Sequence, residues 1–157
     1  MLRTIRTHRR RATRTVAAST LTAAALTMVL AGAQGASAAT TAGQQCRGTG
    51  WGSIAQGVNS YPCAQGNGLT GISGSIDYDN LNHLNILPCA ELLLVNSNGS
   101  TTSVRDFGCG AWSTAGRQQF YTATRTGLPV GTYVVAAGFW YNGTYYGNLQ
   151  SGRVSVF

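Results

Sequence analysis

The sequence predicts an all-β domain: a small, disulfide-stapled antiparallel sandwich of about seven strands. Three observations lead there. Past the N-terminal region, apolar residues alternate with polar ones over short runs, and Gly, Asn, Asp and Ser clusters separate the runs at regular spacing. No segment sustains a helical period. Four cysteines, Cys46, Cys63, Cys89 and Cys109, follow a stretch with the features of an export signal.

That signal is residues 1–38. Six of the eleven Arg lie in the first fourteen positions, an apolar run from Val16 to Ala33 follows, and Ala36-Ser37-Ala38 supplies small residues for cleavage. Arg9-Arg10-Arg11 lacks the following apolar pair of twin-arginine signals, which favours the general secretory route. Cleavage after Ala38 leaves 119 residues with five Arg, no Lys and four acidic residues, a net charge of +1. Six of the seven net positive charges of the whole chain therefore belong to the leader. The mature part has no basic footprint for nucleic acid and none for a membrane surface after the signal is removed.

Residues 39–68 read as a Gly-rich N-terminal arm, held by a disulfide and carrying at most one short strand. An even cysteine count outside the cell predicts two disulfides, and the short local closures Cys46–Cys63 and Cys89–Cys109 are favoured among the three connectivities. Each closure of that length stabilises by about 3 kcal/mol, chiefly by restricting the unfolded chain.

Residues 69–157 form the expected sandwich domain. Ile72, Gly74, Ile76 and Tyr78 alternate with Ser73, Ser75 and Asp77, a strand with one wet face. Asp79 to Asn85 reads as an Asx-rich turn. Cys89 to Asn96 is apolar on both sides, apart from Glu91, as in a central strand. Ser97-Asn98-Gly99 turns the chain so that Thr102 to Phe107 pairs back and Cys109 meets Cys89. Gln119 to Arg125 alternates again. The final pair is the best patterned: Asn142-Gly143 fits a type I′ turn, which sets Tyr141 opposite Thr144, Trp140 opposite Tyr145 and Phe139 opposite Tyr146. One face of that hairpin carries Tyr133, Val135, Ala137 and Phe139. The other carries Val134, Trp140, Tyr145 and Leu149.

Leu128-Pro129-x-Gly131-x-Tyr133-x-Val135 resembles the entry to a late strand of immunoglobulin-like and fibronectin type III-like modules. The resemblance covers about eight residues and implies that Tyr133 bonds back to the backbone of the preceding corner. The signal peptide and composition also resemble those of actinomycete exoproteins.

Catalytic chemistry is thinly provided. His83 is the one histidine of the mature part and stands in a polar loop, with no G-x-S-x-G elbow elsewhere. Asp77 and Asp79 are too close in sequence to flank a sugar as an acid–base pair. Asp77, Asp79, Asn80 and Asn82 invite comparison with a calcium loop, but the EF-hand pattern fails at its glycine and its twelfth position. The reading is therefore of no catalytic residue, no metal and no cofactor.

The expected function is binding. Trp140, Tyr145, Leu149 and Val134 form the candidate surface, since rigid rings bury much area with few rotamers to freeze. The first expectation is a secreted, non-enzymatic protein-interaction module, a small adaptor subunit of a larger extracellular, toxin-like assembly whose partner is another extracellular protein. The first alternative is a carbohydrate-binding protein that stacks polysaccharide on Trp140 and Tyr145. The second is an extracellular protease inhibitor offering Arg105 or Arg117 from a loop.

Overall fold

In the computed structural model, residues 42–68 and 70–157 are described; the expected signal segment and the first three residues of the expected arm lie outside them. The described chain is all-β, two antiparallel sheets packed face to face, with ten strands where the sequence predicts about seven. The strands are β1 (Gly43–Cys46), β2 (Gly52–Ala55), β3 (Val58–Gly66), β4 (Ile72–Asn80), β5 (Leu87–Val95), β6 (Thr101–Cys109), β7 (Arg117–Tyr121), β8 (Gly131–Tyr141), β9 (Thr144–Gln150) and β10 (Val154–Val156).

The first sheet runs β1-β3-β4-β7, with β2 alongside the start of β3. The second runs β10-β8-β5-β6, with β9 beside the end of β8. The three additional strands come mostly from the expected arm. Residues 43–66 form β1, β2 and β3, and β3 pairs along its whole length with β4. Val58, Ser60, Cys63 and Ala64 of β3 are buried. The segment is therefore integral to the sandwich, which corrects its description as an arm. Its Gly, Ser and Gln conceal the alternation, because the small residues Ser60 and Ala64 occupy buried positions where large apolar residues would mark a strand.

Strand β4 alternates strictly between buried and half-buried residues, as expected. Ile72, Ile76 and Tyr78 point into the core and meet Ala90, Leu92, Val135, Ala137 and Phe139 from the second sheet. The sheets approach closely at Gly74, where a Cβ would stand 2.9 Å from the Val135 side chain. Tyr78 ties the two sheets together: its buried hydroxyl lies 2.9 Å from the Cys89 carbonyl and 2.8 Å from the Gly138 carbonyl, both in the opposite sheet.

Both expected disulfides are present, Cys46–Cys63 and Cys89–Cys109. Each joins directly opposed residues of neighbouring strands. Tyr133 donates to the Pro129 carbonyl at 2.6 Å, the corner bond that its position implied. The Asx residues after β4 shape the turn. Asn80 is fully buried, donates to the Leu84 carbonyl at 2.8 Å and accepts from the Leu84 amide at 3.1 Å. Asn82 donates to the Gln56 carbonyl at 3.0 Å. His83 closes the turn with φ 51°, and its Nδ1 lies 3.1 Å from the Thr114 carbonyl.

Candidate functional site

The turn Asn142-Gly143 has positive φ at both residues, 48° and 75°, and fixes the register of β8 and β9. Tyr141 faces Thr144, Trp140 faces Tyr145 and Phe139 faces Tyr146, as the two-residue loop predicts. Phe139 and Tyr146 stack at 5.3 Å on the core side. Trp140 and Tyr145 form the outward pair, with centroids 5.5 Å apart and rings inclined by 57°. Trp140 is 39% exposed, so its ring is a surface group.

Tyr145 folds back over the hairpin. A Cβ at Gly138 would stand 2.1 Å from its hydroxyl oxygen, and one at Gly147 would stand 2.6 Å from its ring. The two glycines thus form the bed on which the ring lies, and Tyr145 itself fills the shelf that their small size creates.

Two of the four expected contact residues do not join this surface. Leu149 lies opposite Ala137, on the core-facing side. The cause is a bulge between Phe139 and Ala137, where Gly147 and Asn148 oppose the single residue Gly138, and Asn148 adopts φ 79°. One extra residue reverses the side-chain alternation beyond it. Leu149 consequently packs against Gly52, where a Cβ would lie 2.8 Å from its Cδ1. Val134 does face outward, yet it is buried in a small cluster with Leu93 and Ala136. It supports the sheet and offers no area to a ligand.

In their place the structure brings two carboxylates. Glu91 of β5 lies directly opposite Asp106 of β6, and both line a groove of about 250 Å³ with Trp140, Tyr145 and the Cys89–Cys109 disulfide. Strict pairing outward from Cys89–Cys109 would set Glu91 against Phe107. A bulge between Ala90 and Glu91 sends Phe107 into the core and moves Asp106 into line. That irregularity has no clear mark in the sequence, which is why the carboxylate pair escapes sequence reasoning.

Like charges directly opposed across a strand pair are destabilising. Neither carboxylate has an ion-pair partner among the described residues, whose salt bridge joins Arg117 to Asp79 on the other sheet. The Asp106 carboxylate accepts from the Gly108 amide at 2.6 Å, and the Asp106 backbone carbonyl accepts from the Arg125 guanidinium at 2.9 Å. The pair acts on the neighbouring phenol: burial, then Glu91 and Asp106, pushes the Tyr145 hydroxyl above the usual tyrosine range. The groove is therefore a negative pocket with a rigid disulfide floor and an aromatic wall.

The two arginines considered as inhibitor residues are not on loops. Arg105 lies within β6 opposite Leu92, and Arg117 lies within β7 opposite Asp79. No protein-family model matches the chain, and no curated protein matches it.

Proposed function

We propose that this is a secreted, non-enzymatic protein-interaction module whose Trp140 groove captures a basic side chain of another extracellular protein. One observation carries the reading: Glu91 and Asp106 face each other beside the Trp140–Tyr145 pair, and neither carboxylate has an ion-pair partner among the described residues. An Arg or Lys head placed there meets two carboxylates and an aromatic face together. The attraction offsets the repulsion that the pair creates in the free protein. A guanidinium suits the site better than an ammonium, because its plane stacks on a ring while its edge bonds to carboxylates.

The Cys89–Cys109 disulfide lines the groove and joins the two strands that carry the carboxylates. The small size of the site fits one side chain as an anchor within a broader contact, the role of a central hot spot. Export and the two disulfides agree with a partner outside the cell.

Titration with an arginine-rich peptide, followed by NMR on the Trp140 indole N–H, tests the reading. Shifts are expected to centre on Trp140 and Tyr145, and to weaken at least ten-fold in the double variant Glu91→Gln/Asp106→Asn. Trp140→Ala is expected to remove binding while changing stability by about 1 kcal/mol or less, since the ring is partly exposed. Equal binding of an acidic peptide, or binding indifferent to the two carboxylates, would refute it.

A further inference from the structure

We propose that the opposite face of the molecule, the outer side of the first sheet, binds a neutral oligosaccharide. The registers of β1, β3, β4 and β7 align the outward residues in rows across the sheet. Gln44, Gln65 and Ser73 form one row, and Tyr61, Asp77 and Gln119 form another. Between them Cys46–Cys63 lies flat beside Ser75 and Tyr121. Trp51 stands at the edge, 44% exposed, with its ring centroid 6.1 Å from that of Tyr61. Tyr121 rises on the far side at 66% exposure.

Two shallow grooves of about 470 and 480 Å³ cross this face, and both are lined by Asp77 and Gln119. Their span from β3 to β7 is two strand spacings, about 10 Å. Ser73 and Ser75 keep the floor low between the aromatic walls.

The chemistry of the lining selects the ligand. Among its residues there is no Leu, Ile, Val or Met, the side chains that fill a protein–protein core. Rings alternate instead with amides, hydroxyls and one carboxylate. A sugar offers the counterpart of each, since its C–H faces stack on rings while its hydroxyls both donate and accept.

One buried polar atom sharpens the case. Asp77 Oδ1, an acceptor, has no hydrogen-bond partner among the described residues. Asp77 lines the groove beside Trp51. Buried polar atoms are rarely left unpaired. A ligand hydroxyl completes this one by donating to Asp77.

Arg117 lies 3.8 Å from Asp79 and 5.9 Å from the Trp51 ring, so charges of both signs stand on this face beside Asp77. A neutral sugar meets them through its hydroxyls without bringing a charge of its own.

The test uses chitotetraose, cellotetraose and xylotetraose, each titrated up to millimolar concentration into the full mature chain and followed by NMR. At least one is expected to shift the Trp51 indole and the Gln119 side-chain amide. Trp51→Ala and Asp77→Asn are each expected to weaken binding ten-fold or more. Tyr121→Ala, a change at a widely exposed ring, gives the same answer should Asp77→Asn fail to fold. Trp140→Ala is expected to leave this binding unchanged, so failure here is distinct from failure of the basic-side-chain reading. The proposal is overturned if none of the three sugars shifts these groups, if binding survives Trp51→Ala, or if Trp140→Ala abolishes it. A concentration-dependent dimer broken by Trp51→Ala would assign the face to a second copy of the chain and overturn it equally.

Discussion

Removing one oxygen atom tests how the two sheets are joined. In Tyr78→Phe the ring keeps its place in the core, and the hydroxyl within 2.9 Å of Cys89 O and 2.8 Å of Gly138 O is lost. The side chain is fully buried, so water does not replace it easily. Losing a buried hydrogen bond and leaving acceptors short of a donor costs about 1–3 kcal/mol. In a domain of this size that lowers Tm by roughly 4–12 °C. The alkaline limb provides a second readout. Burial, and then the neighbouring Tyr145, pushes the Tyr78 hydroxyl well above its ordinary value. In the unfolded chain it ionises at about 10. Above that pH the folded state holds a proton that the unfolded state releases, so stability is full below about pH 10 and declines as pH rises. Each such group contributes a slope of about 1.4 kcal/mol per pH unit. Denaturant titrations from neutral pH to pH 11 are expected to show the parent losing stability more steeply than Tyr78→Phe, by the equivalent of one proton. A variant with unchanged Tm and an unchanged alkaline slope would refute the bridge.

Further expectations concern the candidate site and its support. In Glu91→Gln/Asp106→Asn, the Tyr145 hydroxyl is expected to titrate closer to the ordinary tyrosine range, though still above it, because burial is the first cause of its shift. Ultraviolet titration against Tyr145→Phe reads this directly, and an unaltered curve would remove the carboxylates from the phenol's surroundings. The same double variant is expected to gain about 0.2–1 kcal/mol in denaturant titration at pH 7, from relief of the opposed charges. Gly152→Ala is expected to destabilise by about 1–3 kcal/mol. Its Cβ would stand 2.7 Å from the Cys46 backbone carbonyl, and the adjacent Ser151 holds the Val135 amide at 2.9 Å. A melting temperature equal to the parent's would show that the β9–β10 connection moves freely off β1.

The sequence by itself determined the fold class and the register of the last hairpin, and favoured the two disulfides that the structure shows. Each rests on local chemistry. Ile72 to Tyr78 alternates at the period of a strand, Asn142-Gly143 accepts the positive φ of a tight turn, and the cysteines close short loops. Tertiary structure decided what local patterns do not carry. The strands of residues 43–66 are held by β4, whose partner face makes small residues such as Ser60 and Ala64 suitable for a core. The bulge at Asn148 turned Leu149 inward, and the bulge before Glu91 aligned it with Asp106, because one inserted residue reverses every side chain beyond it. The face shared by Trp51, Asp77 and Tyr121 unites a loop residue with two strands distant from it in sequence. Only the order of strands in the sheet makes them neighbours, and that order is set by how the two layers bury their apolar sides against each other.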